Sequence, residues 1–64
     1  MNWQEYSERL DNLQRLIAKH SEAQRKAQDL GDHAENVRLQ GEISVLIDAG
    51  QRLKEEARQA GLPV

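Results

Sequence analysis

Gly31-Asp32 stands at the middle of the chain and separates two stretches that repeat the same apolar spacing. Before it, Trp3, Tyr6, Leu10, Leu13, Ile17, His20, Gln24 and Ala27 step alternately by three and four. After it, Leu39, Ile43, Leu46, Gly50, Leu53, Ala57 and Ala60 do the same. A seam held over three or more heptads is what one helix presents to another in a coiled coil. Capping signals mark the ends. Asn2 with Glu5, and Asp32 with Glu35, have the spacing of capping boxes. Gly61 suits the left-handed position past a helix, and Pro63 forbids continuation. The spacing predicts helices over residues 3–30 and 33–60, each about 42 Å long. A two-residue connection between equal helices forces an antiparallel hairpin. The expected class is therefore all-α, with residues 1–64 forming one helical-hairpin domain.

Folding at Gly31-Asp32 fixes a register that side-chain sizes can test. It sets Ile17 opposite Leu46, Leu10 opposite Leu53, and Leu13 opposite Gly50. It also sets Tyr6 opposite Ala57 and Trp3 opposite Ala60, so large residues of the first helix meet small ones of the second. Interdigitated packing requires such a match. Charges lie off the seam. Glu5–Arg9, Asp11–Arg15, Glu22–Lys26 and Asp48–Arg52 are acid-first pairs four apart, each worth about 0.2–0.5 kcal/mol on a helix.

The hairpin has more apolar positions than one seam uses. Leu16, Ala23 and Leu30 flank the first seam and Ile47 the second, widening the stripes to the three positions per heptad of a four-helix bundle. A chain of 64 residues buries only about 60% of its unfolded surface. Without cysteine it gains neither a disulfide nor a thiolate zinc site. Self-association remains, and a two-fold dimer of hairpins is the simplest closed form. Leu16, Ala23, Leu30 and Ile47 are its expected interface. No apolar run approaches the ~20 residues of a membrane span, and no signal-peptide pattern opens the sequence. The expected location is the cytoplasm, away from membranes.

Chemistry-bearing constellations are sparse. There is no glycine-rich phosphate loop, and Ser7, Ser21 and Ser44 lack the context of a nucleophile. No catalytic residue, cofactor or metal is expected, and the chain does not read as an enzyme. His20 and Gln24 fall on the seam opposite Ile43 and Leu39, where a polar layer fixes register. Asp29 and His33 straddle the turn, and a metal site needs three or four convergent ligands.

Three surfaces are left for partners. Gly41, Ser44, Val45 and Asp48 follow helical spacing on the second helix, beside the Ile-Ser-Val-Leu-Ile run that is the least polar stretch of the chain. Gly41 within a helix costs about 1 kcal/mol relative to Ala, and its missing side chain lets another backbone come close. Arg15, Lys19, Arg25 and Lys26 make the first helix locally basic, although the net charge of −2 speaks against a protein that coats phosphates. Trp3 and Tyr6 lie at the open end, where they cover the hairpin or anchor a partner.

The build of two equal helices with heptad seams resembles the Rop family of plasmid RNA-binding hairpins, which dimerise into a four-helix bundle. The resemblance is architectural and covers most of the chain. It implies RNA or nucleotide binding on the Arg15, Lys19, Arg25 and Lys26 face. In overall character the chain is similar to the small helical inhibitors with which bacteriophages neutralise host regulators or defence proteins. That similarity implies a homodimer that occludes another protein, for which the residues themselves offer the Gly41, Ser44, Val45 and Asp48 surface.

Overall fold

A computed structural model describes residues 1–64 as two antiparallel helices, α1 (Trp3–Asp29) and α2 (His33–Gln59). Each helix is one residue shorter at its C-terminus than the spacing predicts, because Leu30 and Ala60 are the C-caps. Both helices close the same way. Gly31 (φ 72°) and Gly61 (φ 92°) take the left-handed conformation that a Cβ disfavours. At the turn, the Gly31 N–H donates to the Gln28 carbonyl at 3.1 Å and the Asp32 N–H to the Ala27 carbonyl at 2.8 Å. Gly61 and Leu62 repeat the pattern onto Arg58 and Ala57, each at 3.0 Å.

Asp32 serves both helices. Its N–H closes α1, while its Oδ1 accepts the Glu35 N–H at 3.1 Å and so caps α2. A single residue thus ends one helix and starts the next, which is how so short a connection suffices. Asn2 caps α1 in the same manner, accepting the Glu5 N–H at 2.8 Å. The return half of each capping box is replaced. Glu5 turns to Arg9 at 3.9 Å, and Glu35 to Arg38.

Cross-helix contacts hold the register read from the sequence. Arg9 pairs with Glu56 at 3.6 Å, and Gln24 Nε2 donates to Gln40 Oε1 at 2.9 Å. Tyr6, Leu53 and Ala57 form a buried cluster covered by Leu10, Leu13, Leu62, Met1 and Val64. Trp3 departs from expectation. It remains 50% exposed, its ring edge against Tyr6 with centroids 5.9 Å apart. Gly61 turns the chain beyond Ala60, and Leu62 and Val64 cover the cluster in its place.

Burial is concentrated at the two ends of the rod. Tyr6, Leu53 and Ala57 are buried near the open end, and Ala27, Leu39 and Ile43 toward the turn. Between them Leu13, Ile17, Leu46 and Gly50 are only half-buried, although they lie on the seam. Two helices alone do not close the middle of this core. Neither helix is long and apolar enough to cross a membrane.

Candidate functional site

Heptad spacing gives each helix two rows beside its seam. Arg9, Leu16, Ala23 and Leu30 form one row on α1, and Ser7, Gln14, Ser21 and Gln28 the other. On α2 the rows are Glu35, Glu42, Ala49, Glu56 and His33, Gln40, Ile47, Lys54. Cross-helix contacts decide which rows share a face. Arg9–Glu56 joins the first row of each helix, and His20 reaches from the seam to Glu42 on the same side. Gln24–Gln40 lies on the opposite side. The hairpin therefore has one charged broad face and one that is almost uncharged.

This division separates residues that the sequence alone grouped together. Leu16, Ala23 and Leu30 line the charged face, with Leu30 83% exposed beside the turn. Ile47 lies on the uncharged face. One contact does not cover all four. The cause is the heptad itself: both sets flank a seam, but antiparallel folding turns them to opposite sides.

On the charged face the ion pairs form a network. Glu42 accepts from Arg38 Nη1 at 2.7 Å and lies 2.7 Å from His20 Nε2. His20 Nδ1 lies 2.7 Å from the Leu16 carbonyl. Both partners are acceptors, so donating to both at once takes a doubly protonated ring. His20 and Gln24 are both half-buried on the seam, and each side chain is long enough to reach a polar partner beside it. Arg38 also binds the Glu35 carboxylate. That hydrogen bond, aided by the guanidinium charge and opposed by slight desolvation, holds Glu35 below its ordinary pKa. The same bond, with the charges of Glu35 and Glu42, raises Arg38.

Beside this network is an open groove of about 460 Å³ lined by His20, Arg38, Gly41, Glu42, Val45 and Leu46. Gly41 leaves it unfilled, since a Cβ built there meets nothing within 4 Å. Val45 is 68% exposed. Thus Gly41 and Val45 share a groove. Ser44, whose hydroxyl donates to the Gln40 carbonyl at 3.0 Å, and Asp48, paired with Arg52 at 3.0 Å, lie outside it. His20, Arg38 and Glu42 were not legible as rim residues. Their signal was the Arg38–Glu42 spacing of four, but the His20 link needs the register as well.

Arg15, Lys19, Arg25 and Lys26 are exposed on the back of α1. None has an ion-pair partner, whereas Arg9, Arg38, Arg52 and Arg58 all do. The predicted Asp11–Arg15 and Glu22–Lys26 pairs do not form, so spacing of four alone does not secure a pair between mobile, solvated side chains. No group of three or more His, Asp or Glu side chains is placed to hold a metal. At the turn, Asn36 Oδ1 is buried without a hydrogen-bond partner.

No family model, curated protein or solved structure matches the chain. The functional reading therefore rests on these surfaces.

Proposed function

We propose that this chain is a non-enzymatic, cytoplasmic protein-binding module that acts as a homodimer and occludes a regulatory or defence protein, as small phage inhibitors do. The observation that carries this reading is the Gly41–Val45 groove. It combines an apolar wall, a floor without a side chain, and a rim of fixed charges from Arg38 and Glu42. An approaching helix would gain close backbone contact at Gly41, and the rim would select partners by complementary charge. Gly41→Arg fills the groove and adds a charge with no partner, so it abolishes capture of the bound protein while the helix persists.

A second reading is favoured by one observation, a cluster of four cations without ion-pair partners at Arg15, Lys19, Arg25 and Lys26. They suit an RNA or nucleotide phosphate in the manner of Rop-type bundles. Affinity capture from a bacterial lysate, with and without nuclease, separates the two. A stoichiometric protein that survives nuclease and is lost with Gly41→Arg supports the groove. Nuclease-sensitive recovery that is lost with Arg15→Glu and Lys19→Glu together overturns it in favour of the basic face.

A further inference from the structure

We infer that the chain self-associates through its uncharged broad face, with Ile47 at the centre, and not through the Leu16, Ala23 and Leu30 row. The inference rests on the homodimer reading and names the surface that serves it. From mid-length of the rod toward its open end, an open groove of about 390 Å³ on this face is lined by ten residues, among them Leu13, Ile17, Ile47, Gly50, Gln51 and, at its edge, the charged Lys54. Here the seam residues stay half-buried, so a second layer on this side completes the part of the core that the hairpin leaves open. Ile47 projects beside the groove at 48% exposure, and Gly50 leaves a notch next to it, with nothing within 4 Å of a built Cβ.

Charge selects a second copy as the occupant. A two-fold contact sets a face against itself, so any concentration of charge on it meets its own kind. On this face Ser7, Gln14, Ser21 and Gln28 form an uncharged row on α1, and Lys54 is the one Lys or Arg in the α2 row. Their amides and hydroxyls both donate and accept, and therefore pair with themselves. The opposite face carries Glu35, Glu42 and Glu56 with Arg9, already engaged within the hairpin. Burying that face would desolvate these pairs. The rod is 46 Å long and 16 Å across this face. Because Ile47 lies near mid-length of α2, a two-fold in the contact plane keeps it central whether the two turns lie at the same end or at opposite ends. The Gly41–Val45 groove stays open to solvent in either case.

Light scattering after size exclusion tests this with two variants, Ile47→Lys and Leu16→Lys. Both sites are about half exposed, so the hairpin tolerates them. The expected result is a dimeric wild type at 100 micromolar (a concentration chosen as roughly a hundred times a micromolar constant), at least a tenfold weaker dimer for Ile47→Lys, and unchanged mass for Leu16→Lys. The cysteine-free chain allows a second measurement, alkylation of a single cysteine. Gln51→Cys should be increasingly protected as concentration rises, and Ala23→Cys should not. A monomeric wild type overturns the homodimer reading and this surface together. A dimer that survives Ile47→Lys, or protection at Ala23→Cys without protection at Gln51→Cys, overturns the surface alone. If both lysine variants dissociate, protection at Gln51→Cys alone upholds it.

Discussion

Replacing Gly41 by alanine should make the protein more stable, and the size of the effect follows from the structure. Glycine inside a helix is about 0.8–1.0 kcal/mol less favourable than alanine, because its backbone gives up more freedom on folding. That gain is realised only if the new methyl group meets no obstacle. At Gly41 a built Cβ has nothing within 4 Å, and the Arg38–Glu42 pair beside it does not need to move. The full ~1 kcal/mol is therefore available, and in a domain this small it raises Tm by about 4–8 °C. Dimerisation leaves that shift nearly unchanged, since two substituted chains double both the free-energy gain and the unfolding entropy. Far-UV circular dichroism at 222 nm during heating reads it directly, at matched protein concentration for the two proteins. Gly41→Arg should behave similarly, with a slightly smaller rise, while losing its partner. A lower Tm for Gly41→Ala in the purified protein would refute the reasoning. It would mean that another backbone already packs against Gly41 in the protein's own assembly, placing self-association on the wrong face.

Asp32→Ala removes the side-chain cap of α2 but keeps the backbone N–H that closes α1 onto Ala27. It should cost about 1 kcal/mol, seen as a lower midpoint in urea with the helical signal of the native state intact. Glu35 supplies the pH dependence. Its folded pKa lies below its ordinary value of 4.5, so its stabilising contribution is full above that value and fades as pH falls through the folded one. Glu35→Gln should therefore flatten the loss of stability below pH about 4.5 relative to wild type, and an unaltered acid limb in urea titrations across that range would contradict it.

The hairpin was legible because its turn, cap and size-pairing signals agreed with the global one. Gly31 and Gly61 stand where the chain needs a left-handed residue, Asn2 and Asp32 where a helix needs an acceptor, and the size pairing of Tyr6 with Ala57 follows the register. What a reading of each stripe by itself left out was which rows of the two helices share a face. Leu16 precedes a seam residue and Ile47 follows one, so heptad spacing puts them in different rows, and antiparallel folding turns those rows to opposite faces. Cross-helix contacts such as Arg9–Glu56 and Gln24–Gln40 show the pairing. The same limit hid the rim of the Gly41 groove. Arg38 and Glu42 read as a surface pair on one helix, while His20 arrives from the other.

Placing self-association and partner docking on different faces has a consequence for how the proposed inhibitor would act. In the proposed dimer the uncharged face would be consumed at the centre, so the two Gly41–Val45 grooves would face outward on opposite sides of a four-helix layer. A rod 46 Å long and 12 Å thick doubles only its thickness on pairing, and the grooves remain separated by the full bundle. Such a dimer does not grip one partner with both grooves unless that partner wraps around it. It engages two partner molecules, one on each side. Binding should then saturate at one partner per chain, with no gain in affinity from dimerisation beyond the added stability of the fold, because effective concentration rises only when geometry permits simultaneous engagement. Calorimetric titration with the captured partner measures this. One partner per dimer would require the grooves to converge, which the uncharged-face arrangement forbids.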